Sequence, residues 1–126
     1  MMEGPSGAAE RLLRALDAAD ADDARSVIST EAQGIDEVSR RWIRDSGELR
    51  DSVDELVATA TDMRSKMHDV HEVRWDDTGV VTFWLEQDYT LEGRRLHVAA
   101  PTTYVFRRED GAWKLVLGHS IPLPLP

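Results

Sequence analysis

The sequence contains no cysteine, which excludes disulfide bonds, a thiolate nucleophile and any metal site ligated by cysteine. This absence fits a reducing compartment, and we expect a cytoplasmic protein. No stretch approaches the roughly 20 consecutive apolar residues that a membrane-spanning helix requires. The first residues also lack the basic and apolar regions of a secretion signal. Neither membrane insertion nor export is therefore expected.

Basic residues are scarce relative to acidic ones. The chain has 15 lysines and arginines against 24 aspartates and glutamates, which gives a formal net charge of -9. A surface of this sign repels phosphate backbones, so nucleic acid is not an expected partner. At 126 residues the chain can bury one hydrophobic core but not two. We expect a single domain over residues 1–126, with residues 1–7 and 121–126 as peripheral tails.

The first part of the chain shows helical periodicity and helix-start signals. Residues 8–19 are rich in alanine, leucine and arginine, and Leu12 and Leu16 share one helical face. Aspartates at positions 20, 22 and 23 follow, and carboxylates favour the N-terminus of a helix. The pattern therefore predicts a first helix over 8–19 and a short second helix that ends near Ile28.

Two further helices are expected before the period of the sequence changes. Ile35, Val38 and Trp42 fall on one helical face, which predicts a third short helix over residues 35–45. Apolar residues then recur at helical spacing from Leu49 to Met63. This last pattern is the strongest helical signal in the chain.

From about residue 66 the apolar residues alternate with polar ones, and β-branched and aromatic residues become frequent. Short turn sequences separate the alternating segments, which is typical of an antiparallel meander. The predicted strands cover residues 67–75, 79–91, 95–107 and 113–120. The predicted fold class is therefore α+β, with N-terminal helices packed on a curved antiparallel sheet.

The turns fix which residues share a face of the sheet. A turn at Glu92 and Gly93 makes Asp88 and His97 cross-strand neighbours, and the next turn places Thr102 opposite His119. One face is strongly apolar and is expected to meet the helices. That inward face carries Val81, Phe83, Leu85, Gln87, Tyr89, Leu96, Val98, Ala100, Thr102, Tyr104, Phe106, Trp113, Leu115, Leu117 and His119.

The outward face of the predicted sheet is mixed rather than polar. It retains Val80, Trp84, Val105 and Val116 beside charged residues. A solvated face seldom keeps such a set, whereas a face that packs against a second copy of the chain does. We therefore expect a homodimer that forms through this face, and scattered surface apolar residues are the alternative.

One turn carries a family resemblance. Helices followed by a meander, together with Arg-Arg-x-Asp-Gly-x-Trp-Lys at Arg107–Lys114, resemble the nuclear transport factor 2-like superfamily, which includes ketosteroid isomerases and SnoaL-like polyketide cyclases. The resemblance covers most of the chain. It implies a cone-shaped α+β barrel, a pocket between the helices and the concave sheet, and frequent dimers. It implies no single activity, because the fold hosts enzymes of several classes and silent binding modules.

The isomerase pattern within that superfamily is not reproduced here. Isomerases resemble one another in a tyrosine on the first helix, but the only tyrosines of this chain are Tyr89 and Tyr104 in the predicted sheet. Candidate chemistry is therefore sought among polar residues of the inward face. A histidine can transfer a proton near neutral pH, and a tyrosine hydroxyl can donate to an enolate oxygen. The candidate catalytic residues are His119, Tyr104 and Tyr89.

The expected wall of the pocket adds Trp42, Phe83, Gln87, Thr102 and Trp113 as ligand-binding residues. The structural alternative is that the tyrosines are core aromatics and that the histidine bonds a helix carbonyl. No cofactor and no metal are expected. His68 and His71 would point to opposite faces of a regular strand, so they cannot share a metal unless a bulge lies between them.

Two functions remain open at this point. In the first, the domain binds a small apolar cyclic ligand and catalyses proton transfer, cyclisation or dehydration on it. In the second, it is a non-catalytic homodimeric binding or protein-interaction module, and large side chains fill the cone. Whether the protein is an enzyme depends on the presence of an open pocket.

Overall fold

The computed structural model describes residues 4–36 and 41–121, and the N-terminal helices and the curved sheet confirm the predicted α+β cone. The helices are α1 (Pro5–Asp17), α2 (Ala21–Ser26) and α3 (Ser46–Thr59). The strands are β1 (Ile28–Asp36), β2 (Arg41–Ile43), β3 (Ala60–Trp75), β4 (Thr78–Leu91), β5 (Arg94–Glu109) and β6 (Ala112–Ser120). None of the helices in these ranges is long and apolar enough to cross a membrane.

Local signals explain where the helices begin. Proline is favoured in the first helical turn because its missing N–H would have no helical partner there, and α1 begins at Pro5. This residue is buried although it lies in the segment expected to be a tail. The Asp20 carboxylate accepts the Asp23 N–H at 3.0 Å to cap α2, and the Asp45 carboxylate accepts the Gly47 N–H at 2.7 Å to cap α3.

The six strands form one mixed sheet in the order β2-β1-β6-β5-β4-β3. The meander β3 to β6 is antiparallel, and each turn lies where the sequence predicts it. The predicted β4–β5 register is confirmed, because Asp88 pairs with His97. The first meander strand begins at Ala60, several residues earlier than predicted. Its early part is mostly polar, and only Ala60, Met63 and Ser65 are buried there.

The predicted third helix over residues 35–45 is wrong, because residues 35–36 and 41–43 lie in two paired antiparallel strands, β1 and β2. Ile35 in β1 pairs with Trp42 in β2, and Gly34 pairs with Ile43. A separation of seven residues places two side chains on one helical face, but it also places them opposite each other in a hairpin. Val38, the third member of the helical pattern, lies outside the described residues.

The hairpin joins the meander through β1, which runs parallel to β6. Gly34 pairs with Gly118, and a β-carbon at Gly34 would lie 2.7 Å from the Gly118 carbonyl oxygen. The two backbones can therefore approach this closely only because Gly34 has no side chain. A β-bulge interrupts the same ladder between Ile28 and Gln33.

The register of β5 and β6 shifts by one residue between Val105 and Phe106. Beyond this bulge Thr102 pairs with Ser120, and their hydroxyl oxygens lie 2.8 Å apart. The prediction that Thr102 stands opposite His119 is therefore wrong. His119 pairs instead with Thr103, on the outward face. A bulge inserts one residue and so exchanges the faces of everything beyond it.

The interior between helices and sheet has two unlike ends. At the filled end, the first turns of α1 lie on Phe83, Phe106 and Trp113, of which Phe106 is fully buried. At the cavity end, the last turn of α1, α3 and the β1–β2 hairpin stand over the late residues of β4 and β6. A smaller cluster of Ala60, Met63 and Tyr89 lines this second end.

Candidate functional site

A cavity of about 450 Å³ lies at the cavity end, between the helices and the concave face of the sheet. Most of its wall is apolar. Leu12 and Leu16 contribute from α1, and α3 contributes Leu49, Val53 and Leu56. The strands add Ile28, Ile35, Ile43, Met63, Leu91 and Leu115. A wall of this kind favours an apolar ligand body.

Polar groups are fewer and lie at particular points of the wall. Gln87 and Tyr89 of β4 are buried, at 4% and 3% exposure. Toward solvent, the wall continues with side chains that water reaches more easily: Gln33, Arg41, Ser52, Glu55, Thr59 and Glu92. A small number of convergent polar groups on an apolar wall is typical of a site that orients a ligand.

A chain of hydrogen bonds fixes the buried glutamine from behind. Gln87 Nε2 donates to Ser65 Oγ at 3.1 Å, and Ser65 Oγ donates to Asp17 Oδ1 at 2.7 Å. The Ser65 N–H also donates to Asp17 Oδ2 at 3.0 Å, and Arg14 Nη1 lies 3.2 Å from that same carboxylate oxygen. Arg14 also donates to the Ser65 carbonyl oxygen. These contacts tie the end of α1 to β3 and β4.

The two tyrosines border the cavity in different ways. Tyr89 packs in the smaller cluster with Ala60 and Met63. Tyr104 is half-buried, and its ring meets Phe83 edge to face with centroids 5.2 Å apart. The ring lies over Gly118, its cross-strand neighbour, where a β-carbon would come within 3.4 Å of it. Both tyrosines therefore combine a packing role with a place at the cavity wall.

The sequence matches the family described as "SnoaL-like domain" over residues 7–124, which is nearly the whole chain. The chain belongs to the SnoaL-like domain family. This finding confirms the resemblance to the nuclear transport factor 2-like superfamily that the Arg107–Lys114 turn indicated. No curated protein sequence matches the chain.

Solved structures share the fold of this SnoaL-like chain at low sequence identity. A candidate dehydratase of the NTF2-like family from Streptomyces avermitilis superposes with a TM-score of 0.86 at 21% identity, over 94% of this chain and 92% of that one. A candidate aromatic ring hydroxylase from Novosphingobium aromaticivorans gives 0.85 at 14% identity, over 95% and 87%. The CaMKII hub homology domain of Chlamydomonas reinhardtii gives 0.75 at 16%, over 94% and 95%. These likenesses establish the fold.

The SnoaL-like cavity brings together four of the residues predicted for the site, namely Gln87, Tyr89, Tyr104 and His119. His119 differs from the other three, because the β6 bulge pairs it with Thr103 on the outward face. It also lines a separate depression on that face. The histidine therefore borders the cavity from the end of β6 and does not lie at its centre.

The other four predicted residues do not line this cavity. Trp42 belongs to the misassigned segment and is 62% exposed in β2, where Arg44 lies over its ring. Phe83 and Trp113 are buried at the filled end, and Arg108 stacks on the Trp113 ring. Thr102 is buried, and it bonds Ser120. Their inward orientation is confirmed for the three sheet residues, but they lie along other parts of the sheet.

The sequence analysis missed the contribution of the β1–β2 hairpin to the wall. Gln33, Ile35, Arg41 and Ile43 reach the cavity because this segment forms two strands. Gly34 was the available signal, since a glycine inside a strand often marks a close approach of two backbones. The polar residues of α3 were missed for another reason: they lie beside its apolar stripe and look like ordinary solvated positions.

The carboxyl groups whose pKa values are shifted lie away from the cavity. Arg107 donates to Glu109 and lowers the pKa of its carboxyl, with a further bond from the Ser29 hydroxyl at 2.8 Å. Partial burial raises the pKa of Glu72, but hydrogen bonds from Ser6 and Arg74 outweigh it, and the net shift is downward. These groups make ion pairs and hydrogen bonds on the outside of the fold and not at the cavity.

The outward face carries a row of imidazole and carboxylate groups. His97 Nδ1 lies 2.7 Å from Asp88 Oδ1, which confirms this predicted pair, and His68 Nε2 lies 2.6 Å from Glu86 Oε2. A bulge between His68 and His71 brings both histidines opposite outward-facing residues of β4. Within residues 4–36 and 41–121, no three such side chains are arranged to hold a metal ion.

Proposed function

We propose that this SnoaL-like protein is a single cytoplasmic domain that binds a compact, largely apolar cyclic ligand in the cavity between α1, α3 and the sheet. The observation that carries the proposal is the cavity itself. Its volume of about 450 Å³ falls within the range of small-molecule sites, and its wall is apolar with a few polar groups. A domain whose only task was to pack would be expected to fill this space.

The chemistry proposed for a bound ligand is proton transfer, cyclisation or dehydration. Tyr104 and Tyr89 each place a phenol at the wall, where a hydroxyl can donate a hydrogen bond to an oxygen that becomes negative as a carbon-bound proton leaves. His119 borders the same cavity and is the proposed proton acceptor. The fold shared with a candidate dehydratase and a candidate hydroxylase supports this range of reactions.

Binding is tested with 2-naphthol, a fluorescent bicyclic probe of suitable size. Leu56→Trp adds a ring within the wall and is expected to abolish binding, because the wall would then occupy the space of the probe. Val73→Trp introduces the same ring at a 47% exposed site near the edge of the sheet and is expected to leave binding intact. Equal affinity of both variants would contradict the proposed site.

Catalysis is tested with 2-tetralone, a bicyclic ketone whose carbon-bound protons next to the carbonyl exchange with deuterium. The wild-type protein is expected to accelerate this exchange, as followed by proton NMR. Tyr104→Phe removes one hydrogen-bond donor, and loss of such a donor costs roughly 100-fold or more where it stabilises an oxyanion. His119→Ala should also slow exchange. Binding without accelerated exchange would favour a silent binding module.

A second function is supported by the outward face. Val80, Trp84, Val105 and Val116 lie there half-buried, and the β6 bulge adds Leu117 to the same face. We propose that two copies associate through this surface. Sedimentation equilibrium of Val105→Glu is expected to show a monomer, whereas Val73→Glu near the edge of the sheet should remain a dimer. A wild-type monomer at micromolar concentration would contradict this proposal.

A further inference from the structure

Gln87 has an unusual position for an amide side chain. It is 4% exposed and borders the cavity. The hydrogen-bond contacts of its side chain with described residues are all made by the side-chain nitrogen. Nε2 lies 3.1 Å from Ser65 Oγ and 3.9 Å from Met63 Sδ. Among the described residues, no group donates a hydrogen bond to the Gln87 carbonyl oxygen. A buried carbonyl oxygen ordinarily has a partner, so its position beside a cavity indicates where that partner comes from.

The orientation of the amide follows from the groups behind it. An ionised carboxylate only accepts hydrogen bonds, so the Ser65 hydroxyl must give its one proton to Asp17, 2.7 Å away. The serine oxygen is then left as an acceptor toward Gln87. The amide must therefore turn its NH₂ group to Ser65, which leaves its carbonyl oxygen on the other side.

The groups around Asp17 fix the direction of these hydrogen bonds. Asp17 is paired with Arg14 at 3.2 Å and also accepts the Ser65 N–H at 3.0 Å. Both contacts come from donors, so the Asp17 oxygens act as acceptors in this arrangement. The direction of the hydrogen bonds therefore runs from Gln87 through Ser65 to Asp17, and a neutral carboxamide at residue 17 would remove that constraint.

We propose that Gln87 is a specificity-determining residue that selects ligands carrying a hydrogen-bond donor, such as a phenolic, enolic or alcoholic hydroxyl, for the buried part of the cavity. The inference rests on the proposed function and adds the polarity of the ligand to it. A ligand that offers only an acceptor at this point leaves the Gln87 oxygen without a partner. The surrounding leucines and Met63 then accept the apolar ring that bears the hydroxyl.

The experiment compares 2-naphthol with 2-methoxynaphthalene, which has the same ring but no donor. Both affinities are measured by fluorescence titration of the wild-type protein. The naphthol is expected to bind about tenfold more tightly or better, because an unpaired buried acceptor is costly. The ratio of the two affinities is the readout, since a general loss of packing would weaken both probes together.

Matched variants assign that ratio to one side chain. Gln87→Leu removes the acceptor and is expected to bring the ratio close to one, and Gln87→Met serves the same purpose if the leucine variant does not fold. Glu10→Leu introduces the same leucine at an exposed position of α1 that does not line the cavity, and it should keep the wild-type ratio. Asp17→Asn frees the Ser65 proton for Gln87 and should lower the ratio while residue 87 is unchanged.

The outcomes separate this inference from the proposed function. If neither probe binds the wild-type protein, the proposed ligand site is contradicted and the inference is overturned with it. If both bind with equal affinity, the site stands and only the role of Gln87 is overturned. A wild-type ratio that persists in Gln87→Leu would also overturn it. A ratio that collapses in Gln87→Leu and persists in Glu10→Leu supports it.

Discussion

The filled end and the cavity end of the interior are made from the same two layers, a helix and one face of a sheet, but different side chains complete them. At the filled end, Phe83, Phe106 and Trp113 occupy the space beneath α1. At the cavity end, the sheet offers Gln87, Tyr89, Tyr104 and Gly118, and a space of about 450 Å³ is left open between them and the helices. The comparison indicates that stability and ligand binding are carried by separate parts of one small core.

The largest expected loss of stability comes from removing a side chain at the filled end. Phe106 is fully buried, and Phe106→Ala is expected to lower the free energy of unfolding by about 3–5 kcal/mol because the surrounding side chains cannot close the hole. Leu56→Ala, at the wall of an existing cavity, should cost less than about 2 kcal/mol. Urea denaturation measures both. Equal losses would mean that the two ends are not distinct.

The next effect concerns the close approach that holds the hairpin over the cavity. Gly34→Ala places a β-carbon 2.7 Å from a backbone oxygen of Gly118, and we expect a loss of roughly 1–3 kcal/mol in thermal or urea unfolding. Gly118→Ala is the matched control. Its β-carbon would meet side-chain atoms of Tyr104 at 3.4 Å and of Leu115 at 3.7 Å and no backbone atom this close, so the expected loss is smaller. A reversed order of the two variants would contradict the described β1–β6 contact.

A smaller effect depends on pH and lies outside both ends. The folded pKa of Glu109 and that of Glu72 are below the ordinary value of 4.5, so their contribution to stability is present above that pH and is lost as the pH falls through the folded values. We expect the free energy of unfolding to decline below about pH 4.5. These partly exposed pairs should contribute less than about 1 kcal/mol each.

The variant Glu109→Gln tests that pH dependence. It should flatten the decline in unfolding free energy between about pH 4.5 and pH 3, because one lowered carboxyl no longer titrates. Glu10→Gln, which changes an exposed glutamate on α1, is expected to keep the wild-type profile. An unchanged profile in Glu109→Gln would show that the contact with Arg107 does not affect stability.

The smallest expected effect comes from Trp42, which is large but lies outside both ends. Since its side chain is 62% exposed, Trp42→Ala should change the free energy of unfolding by no more than about 0.5 kcal/mol. The affinity for 2-naphthol should also be unchanged. A clear loss of affinity would place this tryptophan in the ligand site and enlarge the cavity end beyond the described wall.

The filled end could be predicted from the sequence more fully than the cavity end. Alternation over β4 to β6 identified Phe83, Phe106 and Trp113 as inward residues, because short turns fix the register of an antiparallel meander. The cavity end depends on the hairpin at Ile35 and Trp42, whose spacing equally fits a helix. Periodicity in a short segment does not distinguish these two structures.

The bulge in β6 marks a second limit of the sequence analysis. No residue in that strand signals the shift that pairs His119 with Thr103. The alternation of inward and outward residues, counted from the turn, is reversed beyond the bulge. The bond between Ser65 and Asp17 was also beyond prediction, because it joins a helix end to a strand 48 positions away. Contacts of this kind depend on how two elements dock, which local pattern does not specify.

The most direct test of the account is an NMR measurement of nuclear Overhauser effects between bound 2-naphthol and the side chains of the protein. The account predicts contacts from the ring protons to Leu16, Leu56 and Met63, all at the cavity end, and none to Phe106 or Trp113. Contacts confined to outward-face residues such as Trp84, or no saturable binding at all, would contradict it.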